Sequence, residues 1–406
     1  MQATTRRISS LAGLLVAVLC LTSTAGAQTE EDIEAAATQQ PVEEFTGGHS
    51  VQADRADRIY AVDTVFNHMV ASELHVFDAS DGEFLGLVPL GFIGFAQVSA
   101  DGEQIYVATT YYSRNTRGER TDVVEVWDAD TLSFEREIII PSKRASALTY
   151  DGLFQLLDDD RFALIQFATP GQSIGVVDLE NGEFVEEITA TAGCWSSIPV
   201  PGTPRSFATI CGDGSLLTMT LDENGELADQ QRSDRMFPVK DDPIFISPGQ
   251  LPGQLLFVSF HGNVYTANID ADGVSSFEPV WSLLNDEDRA DDWRPGGYNL
   301  LDVDPESGRL YIFMHPDGKE GSHKNPGAEI WVYDLESQER IARVPGRDAL
   351  SMEIDTAGAF PRLLTIDGGN VNVYDISAAE PDYLRTIEGA TEAGLQVLAG
   401  PAGADH

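Results

Sequence analysis

Histidine, cysteine and basic residues are all scarce in this chain. Its 406 residues hold seven His and three Cys, and 25 Lys and Arg stand against 66 Asp and Glu, a net charge of −41. Such a field argues against nucleic-acid binding and against adhesion to anionic lipid, since both require positive surface. It suits solubility or a basic partner. Catalytic signatures are missing as well: there is no GxSxG, HExxH, P-loop or dinucleotide fingerprint. The histidines show no ligand spacing. His315 and His323 share one loop, MHPDGKEGSHK, and read as loop packing ahead of a metal pair. The acidic run NDEDRADD (285–292) lacks the alternation and closing Glu of a calcium loop. No metal site is expected, and no catalytic residue in this chain.

The start of the chain reads as an export signal. Arg6-Arg7, the apolar run Leu11–Leu21 and Ala25-Gly26-Ala27 supply its three regions, with cleavage expected after Ala27. The apolar run is too short for a comfortable membrane span. Loss of residues 1–27 removes two arginines and no acids, so the charge deepens from −41 to −43. Residues 28–57 read as a flexible acidic arm. Cys20 falls within the discarded segment. Cys194 and Cys211 remain, and an even pair in an oxidising compartment reads as a disulfide. CWSSIPVP and RSFATICG look like adjacent antiparallel strands, the first opened by Cys194 and the second closed by Cys211.

What the chain has in abundance is repetition. SIGVVDLENGEFVEEI (173–188) reads as a hairpin: an apolar strand ending in Asp178, a turn at Asn181-Gly182, then a second strand. The same unit ends strands at Asp78, Asp128, Asp270, Asp334 and Asp375, and LLTMTLDENGEL adds a seventh copy centred on Thr220, with Asp222 in the turn. A strand-rich repeat of roughly 40–50 residues is the mark of a β-propeller. The expectation is an all-β, seven-bladed β-propeller over 58–400, with about four antiparallel strands per blade and a tail at 401–406. The first unit offers three strands, and GLQVLAG (394–400) is left over to close that blade. The recurring aspartates read as turn formers. Trp127, Trp195, Trp281, Trp293 and Trp331 read as core packing. Four irregular stretches are expected to carry function: Tyr112–Thr121, Asp222–Pro252, Leu284–Asn299 and His315–Ala328.

Longer stretches carry a more specific likeness. RGERTDVVEVWDADTL (117–132), AGCWSSIP (192–199), WSLLNDEDRADDWRPGGYN (281–299), MHPDGKEGSHK (314–324) and LRTIEGATEAGLQV (384–397) resemble the large (heavy) subunit of quinoprotein amine dehydrogenases, most closely the aromatic amine branch. The methylamine branch shares fewer of them, notably RGERTD and WRPGG. The resemblance implies a seven-bladed propeller with a cysteine bridge, working in the periplasm on primary amines, which are converted to aldehyde and ammonia. It implies that the cofactor, tryptophan tryptophylquinone, and the catalytic base lie on a separate small subunit, in an assembly of two large and two small chains. A blue copper protein, azurin or amicyanin, is the implied electron acceptor. It also implies that an aromatic residue of the first blade lines the substrate channel. Phe66 is the first candidate and Phe92 the second, with ordinary core packing the alternative for each. A methylamine-type heavy chain and a free-standing binding propeller are the competing readings.

Overall fold

The computed structural model describes residues 50–400, apart from 147, 148, 158 and 192. The expected signal segment, most of the expected arm and the tail lie outside the described residues.

Strands follow one another as short antiparallel meanders, and each meander is one blade. The first blade takes β1 (Arg58–Asp63), β2 (Ser72–Asp78) and β3 (Phe84–Gly91). The second has β4 (Phe95–Val98), β5 (Gln104–Arg114), β6 (Arg117–Asp128) and β7 (Ser133–Ile140). The third has β8 (Phe154–Leu156), β9 (Phe162–Phe167), β10 (Ser173–Asp178) and β11 (Glu183–Ile188). The fourth has β12 (Cys194–Pro199), β13 (Ser206–Cys211), β14 (Ser215–Leu221) and β15 (Leu227–Arg235). The fifth has β16 (Gly249–Leu251), β17 (Gln254–Val258), β18 (Asn263–Asp270) and β19 (Gly273–Phe277), with β20 (Trp281–Ser282) added to β18. In the sixth, β21 (Arg294–Pro295) and β22 (Leu301–Asp304) both pair with β23 (Arg309–His315), followed by β24 (Gly327–Asp334) and β25 (Glu339–Ala349). The seventh has β26 (Ser351–Asp355), β27 (Arg362–Ile366), β28 (Val371–Asp375) and β29 (Asp382–Ile387).

The last strand, β30 (Gly394–Leu398), returns to the start of the chain. It pairs antiparallel with β1, setting Tyr60 opposite Leu398 and Val62 opposite Gln396. All five of its residues are buried. The ring is thus a seven-bladed propeller closed by mixing the two ends of the chain. Closure covers the edge of β1 that the first blade would otherwise leave free to pair with another molecule.

Burial follows position in the blade. The second and third strands are covered on both faces by neighbouring blades, so β1, β9, β10 and β13 are buried at every residue and read as continuous apolar runs. The outer strands alternate, as in β7, where Ile138 and Ile140 are buried and Ile139 is exposed. The core lies between blades: one apolar cluster joins blades one and two, another two and three, and the series continues back to seven and one.

One local device recurs in every blade. The third and fourth strands slip register two residues before the strand-ending aspartate, at Val76/Phe77, Val126/Trp127, Val176/Val177, Asn268/Ile269, Val332/Tyr333 and Val373/Tyr374. In the fourth blade the slip falls at Thr220/Leu221. The equivalent position there is Asp222, two residues beyond the expected centre at Thr220. Each aspartate then caps its turn with Oδ1, accepting from Ser80, Thr131, Asn181, Asn224, Asp272, Ser337 and Ser377 N–H at 2.7–2.9 Å. The bulge twists the outer strand, and the carboxylate satisfies the backbone groups that the turn leaves free.

Cys194 and Cys211 face each other across β12 and β13 and form the disulfide. Two expectations change. The described end of the arm, 50–57, is packed: Val51 is buried, and its N–H donates to Asp130 O at 2.7 Å. Arg55 and Arg58 both bind the Asp130 carboxylate, which their bonds hold down at a pKa of about 2. Tyr112–Thr121 is a two-stranded ribbon rather than a loop, because β5 and β6 stay paired, with one register shift after Tyr112, as far as Arg114 opposite Arg117.

Candidate functional site

In a four-stranded meander, the turn between the second and third strands and the crossover to the next blade leave from the same end. That end of the ring collects most of the segments expected to be functional: the tip of the β5–β6 ribbon, 236–248, 284–299 and 316–326. Asp222–Glu226 is the exception, since it caps β14 at the opposite end.

The expected channel aromatics lie on this face. Phe66 opens the 3-10 turn Phe66–Ala71 between β1 and β2 and is 43% exposed, as is Met69 to 36%. Phe92 sits in the β3–β4 crossover, its ring edge-on to Tyr112 with centroids 5.7 Å apart. The two segments touch, since Ile93 N–H donates to Met69 O at 3.0 Å. Phe92 packs against the core between blades two and three, whereas Phe66 projects to solvent. Beside the 3-10 turn, a cleft of about 520 Å³ opens between blades one and seven, lined in part by Asp63, His68, Glu73, His75 and Glu392.

At the base of the ribbon, Asp122 is fully buried. It receives Thr110 Oγ1–H (2.9 Å), Arg120 Nε–H (2.8 Å) and the Arg144 backbone N–H (3.0 Å). Tyr111 donates to Glu125 at 2.6 Å, and Trp127 Nε1–H donates to the other oxygen of the same carboxyl at 3.0 Å. Burial raises the pKa of both Tyr111 and Glu125, and the neighbouring carboxylate raises Tyr111 further.

Side chains meet across the axis of the ring. Asn299 Nδ2 donates to Asp151 Oδ1 at 3.1 Å, Gln396 Nε2 to the same oxygen at 3.0 Å, and Ser247 Oγ to Asn299 Oδ1 at 3.1 Å. These residues belong to blades three, six, one and five, so direct hydrogen bonds cross the centre. Two further carboxyls of the inner strands, Asp302 and Glu353, share their field with Asp151. Burial pushes Asp151 up to about 6 and Asp302 up to about 7. Glu353 is raised by burial and then by Asp302 and Asp151.

The remaining residues singled out from sequence have structural settings. His315 is buried, with Nδ1 at 3.0 Å from Pro316 O, and packs where any side chain at Gly296 would collide with it. His323 meets the edge of Phe260. Asn285 and Asp288 form a reciprocal capping box on α1 (Asp286–Ala290), and Asp288 also binds Arg340 at 2.8 Å. The acidic run therefore caps a helix. Trp293 and Trp331 are 5.1 Å apart, with the Arg343 guanidinium over both rings. Among the described residues, no group of three or more His, Cys, Asp and Glu could hold a metal ion. Among the described residues two imidazole–carboxylate pairs occur, Glu73–His75 (2.9 Å) and Asp242–His261 (3.0 Å). Neither imidazole has a Ser, Thr or Cys hydrogen-bonded to it among the described contacts. The face offers apolar surface beside an acidic cleft, chemistry suited to enclosing an apolar group and drawing in a cation.

Arg144 and Asp122 were not singled out from sequence. The available signal was Arg120 and Asp122, two opposite charges on one face of a strand that turns apolar at Val123 and Val124.

The family model described as methylamine dehydrogenase heavy chain (MADH) matches residues 55–398. The methylamine dehydrogenase heavy chain of Methylobacillus flagellatus is 27% identical over 397 residues, covering 96% of this chain and 94% of that protein. The heavy chain from Paracoccus versutus is 29% identical over 344 residues, covering 83% and 78%. Among solved structures, a putative 6-phosphogluconolactonase from Bacteroides fragilis superposes with a TM-score of 0.57 at 11% identity, covering 84% of this chain and 97% of that one. A functionally unknown protein from Desulfotomaculum acetoxidans gives 0.52 at 12%, covering 84% and 98%. At such identities the structural likenesses speak for the fold alone.

Proposed function

The chain belongs to the methylamine dehydrogenase heavy chain family, and on that premise we propose that it is the large subunit of a periplasmic aromatic amine dehydrogenase. One observation carries the large-subunit part of the reading: the family match runs from Arg55 to Leu398 and so takes in the whole ring, including both β1 and the β30 strand that closes on it. The oxidation of a primary amine to aldehyde and ammonia belongs to the complex with a small subunit, whose tryptophan tryptophylquinone supplies the electron sink. A blue copper protein takes the electrons onward.

This chain's own part is to bind, shape and exclude. Phe66, Met69, Phe92 and Tyr112 give the face an apolar wall, suited to steric selection of the amine and to keeping water out. The net charge of −41 favours the approach of substrates that are ammonium ions at neutral pH. Preference for aromatic amines rests on the resemblance of 281–299 and 314–324, which lie on this same face. A methylamine preference is the second reading, favoured by the relatives at 27–29% identity, which are methylamine dehydrogenase heavy chains.

The test is amine-dependent dye reduction by the complex purified from periplasm. Turnover of tyramine and phenethylamine supports the aromatic reading. Turnover of methylamine alone supports the second, and no turnover of any primary amine by a colourless single chain overturns both.

A further inference from the structure

Arg144 is one of the largest fully buried side chains, and among the described residues its guanidinium makes no hydrogen bond to a carboxylate. Burying a charge in this way is costly unless every donor is used. Here the donors are aimed at one place. Nη2 donates to Phe92 O at 2.8 Å and Nη1 to Ile93 O at 2.9 Å. Nε and Nη2 both reach Thr110 Oγ1, at 3.2 and 2.9 Å, and Nη1 also reaches Ala145 O at 3.2 Å. The plane lies over Phe95, 4.9 Å from the ring centroid.

The segment so gripped is one that would not hold its shape unaided. Between Gly91 (φ +60°) and Gly94, Ile93 adopts φ +46°, a left-handed conformation that a β-branched residue rarely takes. Gly94 packs so tightly that a Cβ would lie 2.2 Å from Leu90 O. From Ile93 the grip passes on, since its N–H donates to Met69 O in the 3-10 turn that begins with Phe66. On the other side, Thr110 donates to Asp122, which also holds Arg120 and the backbone of Arg144 itself.

We propose that Arg144 is a positioning residue that fixes the β3–β4 crossover, and through it both Phe92 and Phe66, so that the aromatic wall of this face has one shape and discriminates between amines by size. The amine-selecting role of the wall rests on the function proposed above; the clamp itself does not. A guanidinium suits the task because a planar fork spans two adjacent carbonyls and a hydroxyl at once, which a lysine ammonium does not.

The experiment compares Arg144→Met, Arg144→Lys and Arg362→Met in the chain produced with its small subunit. Arg362 is an equally buried arginine, held by Asp355 and Asp57 at the opposite end of the ring, so it controls for general loss of stability. Amide hydrogen exchange at Phe92 and Ile93 is expected to quicken at least about tenfold in Arg144→Met, less in Arg144→Lys, and not at all in Arg362→Met. In the same complexes, the ratio of kcat/KM for phenethylamine to that for methylamine should shift about tenfold in Arg144→Met, carried by KM, with partial rescue in Arg144→Lys. If Arg144→Met fails to fold, Arg144→Lys against Arg362→Met decides the same two readouts. Unchanged exchange at Phe92 and Ile93, equal quickening in all three variants, or quickened exchange with an unmoved ratio each overturns the proposal. A wild-type complex that oxidises no amine overturns the proposed function and the selecting role together, while exchange still decides the clamp.

Discussion

Replacing Asp302 by Asn should destabilise the ring at pH 4 and stabilise it at pH 8. Asp302 lies on the inner strand β22, and burial, with Asp151 and Asp304 nearby, lifts its pKa from 3.8 to about 7. The folded value is the higher one, so keeping the proton contributes stability that is fully present below about pH 4 and lost as pH rises through about 7. That rise is worth about 4 kcal/mol, a ceiling because the residue is only partly buried and shares its field with Asp151. Asparagine removes that pH-dependent penalty but brings a cost of its own. Asp302 accepts Val303 N–H and Ile354 N–H on different oxygens, both at 2.8 Å. An amide offers one oxygen, so one N–H loses its partner at a cost of about 1–3 kcal/mol at either pH. The net expectation is a loss of about 1–3 kcal/mol at pH 4, a gain of similar size at pH 8, and a swing of up to about 4 kcal/mol between them. Urea unfolding of wild type and variant at both pH values reads it directly. A difference that is the same at pH 4 and pH 8, or one that swings the other way, refutes the reasoning.

Glu353, which accepts no hydrogen bond among the described contacts, gives a cleaner companion: Glu353→Gln should raise the urea midpoint at pH 8 and leave it nearly unchanged at pH 4. Removing the Cys194–Cys211 bridge with serines, which opens a loop of sequence separation 17, should cost about 3 kcal/mol in guanidinium unfolding of the oxidised protein. Phe66→Ala should leave the thermal midpoint within about 1 °C, because the ring is 43% exposed, while changing KM for bulky amines in the complex. A chain ending at Gly389 lacks β30 and uncovers the edge of β1, so it should aggregate or fail to fold, read by light scattering and circular dichroism.

The seven-fold repeat was legible because each blade ends its third strand with the same chemistry: a β-branched or aromatic run, an aspartate and a polar turn. Closure by β30 was legible by subtraction, since the first unit was one strand short. In the fourth blade Asp222 was legible as a turn residue, but the repeat was centred two residues early, on Thr220, because the strand continues through Leu221; the register slip and the capping bond make Asp222 the equivalent. The β5–β6 ribbon read as irregular because Arg114–Arg120 is polar throughout, and a ribbon with water on both faces carries no alternation to betray it. Arg144 was invisible for another reason. A lone arginine in PSKRASA resembles a surface residue, and only the fold reveals that the carbonyls it holds come from a crossover some fifty residues earlier. Phe66 and Phe92 could be named from the family likeness, but their contact through Ile93 and Met69 depends on two turns meeting at one end of the ring.

The central claim is that this propeller serves as the large subunit of an amine dehydrogenase. The direct measurement is a visible spectrum of the protein purified from periplasm of cells that supply the maturation machinery, taken before and after addition of phenethylamine, with the chains resolved beside it. The account predicts a second, small chain, a quinone absorbance that travels with it, and bleaching by the amine. A colourless single chain that no primary amine alters would contradict it.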